Sequence, residues 1–230
     1  MKGLLGLELD VNPKGHVKVE SVVNGPLETN TYFVISNGEA VVIDPAWDGG
    51  RLARVFAEQH PGVQVKAIVC THGHADHVGG VAGMKRALGG DVPFALAAAD
   101  APAIEVNIAY QRRMWGIAVE DPGAPDRLLH EGDVIQVGEA SLQVIETPGH
   151  TPGGIVLFTA TEDGDVAFVG DTLFPGSHGR TDLEGGSEGE ILASLSKIAG
   201  LLPPDTRCYI GHGPSTTIAR ELATNPFMRR

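Results

Sequence analysis

Four short apolar runs in this chain stop in the same manner. Ala67-Ile68-Val69-Cys70 leads into Thr71-His72-Gly73-His74-Ala75-Asp76-His77, and the run 142–145 leads into Glu146-Thr147-Pro148-Gly149-His150. Ala167-Phe168-Val169-Gly170 is followed by Asp171, and Cys208-Tyr209-Ile210-Gly211 by His212. Short runs of this kind, rich in Val and Ile and closed by turn residues, read as strands. Strand ends lie along the rim of a sheet, so the four segments can converge on one spot. Glycines at 73, 149, 170 and 211 allow the sharp paths and close approach that such a cluster needs.

The rest of the pattern is consistent with strands in two groups. Strands are expected over 17–23, 31–35, 40–43, 63–70 and 92–96, and again over 134–137, 141–145, 155–158, 166–169 and 207–210. Helical spacing marks 50–59, 77–88, 100–115, 188–201 and 216–223. Asn24-Gly25-Pro26, Asn37-Gly38 and the run from Asp121 to Pro125 punctuate the chain. No repeat or linker divides it, so two helix-covered sheets in one α/β domain are expected. With 42% hydrophobic and 20% charged residues the chain can build a core and is not disordered. The balance of 17 basic against 29 acidic residues gives −12, which repels phosphate backbones and argues against nucleic acid as a partner. No apolar run approaches the roughly 18 residues of a membrane span. Acidic residues interrupt Met1 to Val11 where a signal peptide is apolar, so no membrane association and a cytoplasmic location are expected. Cys70 and Cys208 are too few for a disulfide framework and read as buried strand filler.

The polar residues carry the chemistry. A lone histidine is usually a structural or surface residue, and His16, His60, His130 and His178 are read as surface residues. Three histidines and an aspartate within His72–His77, joined by two further strands ending at histidine, reverse that reading. Imidazole and carboxylate suit zinc, iron or manganese, and a carboxylate can bridge two ions. His72, His74, Asp76, His77, His150, Asp171 and His212 suffice for two three-ligand sites sharing a carboxylate. Such a pair lowers the pKa of a water between the ions and holds the oxygens of a reacting carbonyl. Asp44, ending Val41-Val42-Ile43, is open between ligand, turn residue and acceptor orienting a ligand histidine, the last being preferred.

The ordered set from Thr71 to His77, then His150, Asp171 and His212, resembles the metallo-β-lactamase superfamily over about residues 17–227. The resemblance implies a four-layer αββα sandwich with two divalent metal ions, zinc foremost and iron or manganese as alternatives, at one edge between the sheets. It assigns His72, His74 and His150 to the first ion and Asp76, His77 and His212 to the second, with Asp171 bridging. Asp76 and Asp171 then act catalytically by fixing the geometry of the attacking water. Gly170-Asp171-Thr172 departs from the antibiotic-hydrolysing lactamases, which lack the bridging acid. The segments Gly170–Phe174, Gly179-Arg180-Thr181-Asp182, Gly211-His212-Gly213-Pro214, Thr216-Thr217-Ile218 and Asn225-Pro226-Phe227 are most similar to short bacterial glyoxalase II-like hydrolases.

That likeness implies hydrolysis of a small-molecule thioester such as S-lactoylglutathione, or of a related ester. Only 18 residues follow His212, so a single domain over 1–230 is expected, without the C-terminal helical domain that supplies glutathione contacts in longer members. Substrate contact is placed on Tyr110, Arg112, Arg113 and Trp115, a segment equally readable as a packed helix with solvated arginines. Arg180 is open between substrate contact and a pair with Asp182, the pair being preferred. Persulfide dioxygenases resemble the chain too and bind one iron through the equivalents of His72, His150 and Asp171. A mononuclear iron oxygenase is therefore the alternative expectation.

Overall fold

Side-chain alternation along each strand decides how the layers stack. In the computed structural model, residues 7–229 are described; residues 1–6 and Arg230 of the expected single domain lie outside the described residues. The first sheet runs β1 (Lys18–Asn24), β2 (Thr29–Ser36), β3 (Glu39–Ile43), β4 (Gln64–Val69), β5 (Phe94–Ala97) and β6 (Arg127–Leu129) in spatial order. Its first three strands are antiparallel neighbours, and β3 to β6 are parallel. The second sheet is ordered β7 (Val134–Val137), β8 (Ala140–Glu146), β9 (Ile155–Thr159), β10 (Val166–Gly170), β13 (Arg207–Ile210) and β14 (Thr216–Thr217). A separate small hairpin pairs β11 (Leu173–Phe174) with β12 (Ser177–His178).

Alternate residues of these strands serve different layers. Val41, Ile43, Ala67 and Val69 face Leu142, Val144, Leu157 and Phe168 in the core between the sheets. Their neighbours Val42, Ile68 and Cys70 face outward and pack under α1 (Gly49–Gln59) and α3 (Val81–Ala87) through Ala53, Phe56 and Met84. On the other side Val169, Cys208 and Ile210 pack under α5 (Glu188–Leu201) and α6 (Ile218–Thr224). Strands buried on both faces are apolar at nearly every position, which is why their runs are continuous. The result is the expected αββα sandwich.

The structure differs from the sequence reading at three places. The helix expected over 77–88 is two helices, α2 (Ala75–Val78) and α3, broken at Gly79-Gly80. At the break the Gly80 N–H donates to the Pro45 carbonyl at 2.7 Å instead of continuing the helical ladder, an approach that only glycine allows, since a Cβ there would lie 2.4 Å from that oxygen. Strand β6, the hairpin β11–β12 and strand β14, which takes the first two residues of the helix expected over 216–223, are only two or three residues long, too short to show a pattern. The helix expected over 100–115 becomes a 3₁₀ turn at Ala101–Ala103 followed by α4 (Ile104–Trp115). No helix among the described residues is long and apolar enough to cross a membrane.

The inter-sheet core is closed near its centre by three rings. Tyr32 packs 5.3 Å from both Phe168 and Tyr209, and its buried hydroxyl donates to the Ile210 carbonyl at 2.6 Å. Phe168 is fully buried. Phe168→Ala is expected to lower stability by about 3–5 kcal/mol through lost burial and the cavity left behind. Urea unfolding followed by tyrosine and tryptophan fluorescence measures it; a loss under about 1 kcal/mol would mean that the two sheets close over the gap.

Candidate metal centre

Parallel pairing brings the ligand segments to one edge. β3 and β4 run the same way, so Asp44 and the His72 loop leave the first sheet side by side. In the second sheet β10 and β13 are parallel, and β8 reaches the same direction through two antiparallel steps. Asp171, His212 and the loop to His150 therefore emerge at matching ends. An isolated bridge between Thr29 and His212 joins the two sheets there. Asn30 strengthens the tie, its side chain donating to the carbonyls of Ile210 and Gly213 at 2.9 Å each. Gly211 lets the groups close up, since a Cβ there would fall 2.0 Å from Asp171 Oδ1.

All seven sequence-derived ligands meet. Three groups have ligand atoms within 4.8 Å of one another: His72, His74 and His150; His72, His77 and Asp171; Asp76, His77 and His212. Asp171 reaches both sides, with Oδ2 3.5 Å from His150 Nε2 and Oδ1 3.5 Å from His77 Nε2. His212 Nε2 stands 3.3 Å from Asp76 Oδ2 and 3.6 Å from Asp171 Oδ2.

Three of the histidines have their outward ring nitrogens engaged. His77 Nδ1 lies 3.0 Å from Asp44 Oδ2, His150 Nδ1 2.7 Å from the Arg180 carbonyl, and His212 Nδ1 3.0 Å from the Leu27 carbonyl. Each such contact fixes the ring with its other nitrogen facing the centre. Asp44 is thereby the orienting acceptor that the sequence suggested. It also accepts from the Thr71 N–H at 2.7 Å and hydroxyl at 2.8 Å.

The inward atoms fit divalent cations. His77 Nε2, His150 Nε2 and Asp171 Oδ1 are buried with no hydrogen-bond partner among the described residues. Leaving buried polar atoms unpaired is unfavourable by about 1–3 kcal/mol each, and cations held in these ligand groups would satisfy them. His72 Nε2 and His74 Nδ1 sit 3.1 Å apart, facing each other as two donors to a common cation would.

Protonation follows from burial and from the carboxylates. Desolvation holds His72 well below the ordinary histidine range and pushes His74 down to about 3. Burial also opposes charge on His77, but Asp76, Asp44 and Asp171 outweigh it and raise this ring to about 10. Burial likewise opposes charge on Asp76, yet His77 and His212 hold its carboxyl far below the usual range.

The cleft beside these ligands is a cavity of about 810 Å³. Tyr110, Arg113, Trp115 and Arg180 line it. Arg112 does not. At 3.6 residues per turn it projects about 200° away from Tyr110, toward solvent. Arg113 instead stands 5.7 Å from the centre of the Tyr110 ring. Arg180 is held by Asp182 through contacts of 2.7 and 2.8 Å, the preferred pair. His16 and His130 are exposed as expected. His60 and His178 are not surface residues: His60 is half-buried 2.9 Å from Glu20, and His178 packs against Phe227. The sequence reading missed Asp100 and Asn107, which hold the Gly73 peptide, and Gln111, a buried cavity residue. Nothing in their sequence neighbourhood marks them.

A histidine-rich segment after β4, an aspartate after β10 and a histidine after β13 define a metal-binding αββα protein. The sequence pattern of the metallo-beta-lactamase superfamily matches residues 24–212, and the chain belongs to that superfamily. It is 32% identical to the probable metallo-hydrolase YqgX of Bacillus subtilis over 205 residues, 89% of this chain and 94% of that one. Identity is also 32% to the hydroxyacylglutathione hydrolase GloC of Haemophilus influenzae over 190 residues, 82% and 87% of the two chains. Among solved structures, the B3 metallo-beta-lactamase BLEG-1 gives a TM-score of 0.83 at 32% identity, covering 93% of this chain and all of that one (100%). TTHA1623 in a di-iron-bound form gives 0.79 at 40% identity, covering 90% and 99%. ETHE1 from Myxococcus xanthus gives 0.73 at 25%, covering 91% and 83%.

The two ligand groups differ in what a cation must displace. His77 is raised to about 10 and His212 is raised as well, so a cation bound at Asp76, His77 and His212 at neutral pH expels at least one proton. Apparent affinity there is expected to fall by roughly tenfold or more per unit decrease in pH from 9 to 7. His72 and His74 are already neutral above the ordinary histidine value of 6.5, so they give up no proton to a cation at neutral pH. Calorimetry in buffers of different ionisation enthalpy reads the difference; equal proton release for both binding events would refute it. Metal-free stability should also fall as pH drops from about 6.5 toward 3. The unfolded chain takes up protons on His74 in that window and the folded chain does not.

Proposed function

We propose that this protein is a binuclear metal-dependent hydrolase of small-molecule thioesters. The observation that carries the reading is Asp171, whose two oxygens face His150 on one side and His77 on the other. A carboxylate between two complete ligand groups is the arrangement a pair of cations requires. His72, His74 and His150 would hold one cation, Asp76, His77 and His212 the other, and Asp171 both. When bound, the cations supply Lewis acidity for a carbonyl oxygen and acidify water toward neutral pH. Zinc suits the nitrogen-rich set, while the di-iron form of TTHA1623 supports iron as an alternative.

The remaining steps belong to side chains. Asp76 Oδ2, 3.2 Å from the Thr29 hydroxyl and 3.3 Å from His212 Nε2, would orient the attacking water by charge and hydrogen bonding, its strongly acidic carboxyl remaining ionised throughout. Addition of that water to the thioester carbonyl forms the C–O bond, collapse of the adduct breaks the C–S bond, and one water proton leaves on the thiol while the other goes with the carboxylic acid. Tyr110, Trp115, Val106 and Leu183 give the cavity an apolar wall for the acyl or thiol portion. Arg113 offers a cation to an anionic group, whereas Arg180 is already engaged by Asp182.

The identity to GloC supports the thioester reading. The likeness to ETHE1 fits a mononuclear iron oxygenase using His72, His150 and Asp171. That to BLEG-1 brings β-lactams into the comparison, although Asp171 argues against them.

Protein prepared with metal in excess is expected to retain about two cations per chain and to hydrolyse S-lactoylglutathione and neutral acyl thioesters faster than a cephalosporin. His212→Ala should lose one cation and most hydrolysis with an unchanged circular dichroism spectrum. One retained iron, with oxygen uptake and sulfite formation from glutathione persulfide, would select the oxygenase instead. Arg113→Ala should weaken anionic thioesters by roughly two- to fivefold, the scale of an exposed ion pair, and leave neutral ones unchanged. Arg112→Ala should do neither. Equal loss on both substrate types would return Arg113 to ordinary packing.

A further inference from the structure

Asp100 makes no hydrogen bond to any histidine, yet it joins the two loops that carry three of them. Its side chain is buried and accepts three hydrogen bonds. The Gly73 N–H donates to Oδ2 at 2.7 Å, the Thr151 hydroxyl to Oδ2 at 2.8 Å, and the Gly153 N–H to Oδ1 at 2.5 Å. Gly73 lies between His72 and His74, and Thr151 directly follows His150. The other face of the Gly73 residue is held as well, its carbonyl accepting from Asn107 Nδ2 at 2.9 Å. Both peptide groups between the two loop histidines are therefore fixed from the α4 side. The contact leaves no slack: a Cβ on Gly153 would lie 2.7 Å from Asp100 Cγ, and one on Gly73 3.2 Å from Asp100 Cβ.

From this geometry we infer that Asp100 is a positioning residue for the His72–His74–His150 group. It sets the spacing between the two loops, and so between the paired imidazoles of one and the single imidazole of the other, without itself serving as a ligand. A carboxylate is needed because every partner is a donor. An amide in its place turns its NH₂ toward a donor whichever way it is oriented, with almost no change in volume. Ordinary burial would have been served by an apolar residue.

The inference rests on the metal reading, and zinc affinity tests both separately. Chelator competition resolves the two binding events in wild type, and His150→Ala identifies the one belonging to the His72–His74–His150 group. Asp100→Asn is expected to weaken that event about 10- to 100-fold, the range for outer partners of metal ligands, and to change the other by less than threefold. Thermal unfolding of the metal-free chain accompanies each variant. Thr151→Val removes one of the three donors and should weaken the same event by a few-fold; it decides the matter if Asp100→Asn does not fold. Unchanged zinc affinity, or equal weakening of both events, would overturn the assignment and leave Asp100 as a packing residue. Wild type that binds no zinc would overturn the metal reading itself, and the positioning role with it.

Discussion

Five imidazoles and two carboxylates gathered at one largely dry edge form an arrangement that water does not stabilise. At His77, His150 and His212 the protein answers this by dividing the ring in two. One ring nitrogen is bonded outward, to Asp44, to the Arg180 carbonyl, or to the Leu27 carbonyl. The other is left facing inward, where only a cation or a proton completes it. Everything else near the site serves that division: the strand order that aligns the loops, and the glycines that let the loops touch.

The outward partners come from both sheets. Asp44 follows β3 of the first sheet, Arg180 lies between β10 and β13 of the second, and Leu27 precedes β2 while holding a histidine that follows β13. Tyr32 and Asn30 add ties from β2 to the Ile210–Gly213 segment. The ligand geometry is thus as firm as the seam between the sheets, and the inter-sheet rings Tyr32, Phe168 and Tyr209 underlie that seam.

What the sequence reveals depends on whether a residue's role is local. His72, His74, Asp76 and His77 are legible because four donor residues fall on one short loop. His150, Asp171 and His212 are legible because each interrupts an apolar run where a strand must end. The sandwich itself is readable from continuous apolar strands alternating with helical spacing. By contrast, Asp100 sits in Ala99-Asp100-Ala101-Pro102, a string that suits the start of any helix. Its carboxylate does not cap that turn but reaches across to Gly73 and Gly153. Arg112 and Arg113 are alike in sequence and separate only once α4 has a definite rotation against the cavity. His60 and His178 looked isolated because their partners Glu20, Phe227 and Glu188 are brought to them by tertiary packing.

The connection between β5 and β6 has two roles that many folds keep apart. Through Tyr110, Arg113 and Trp115 it forms the wall that a substrate would meet, and through Asp100 and Asn107 it grips the loop of His72 and His74. Insertions or substitutions that reshape the wall by turning α4 would therefore also tug on the ligands. Divergence toward new substrates is constrained from within: changes are tolerated at the exposed tip around Trp115 and Gly116, while the first turn of the helix is held to its present course. Relatives with different cavities should then vary most at the far end of this connection and least where it leaves β5.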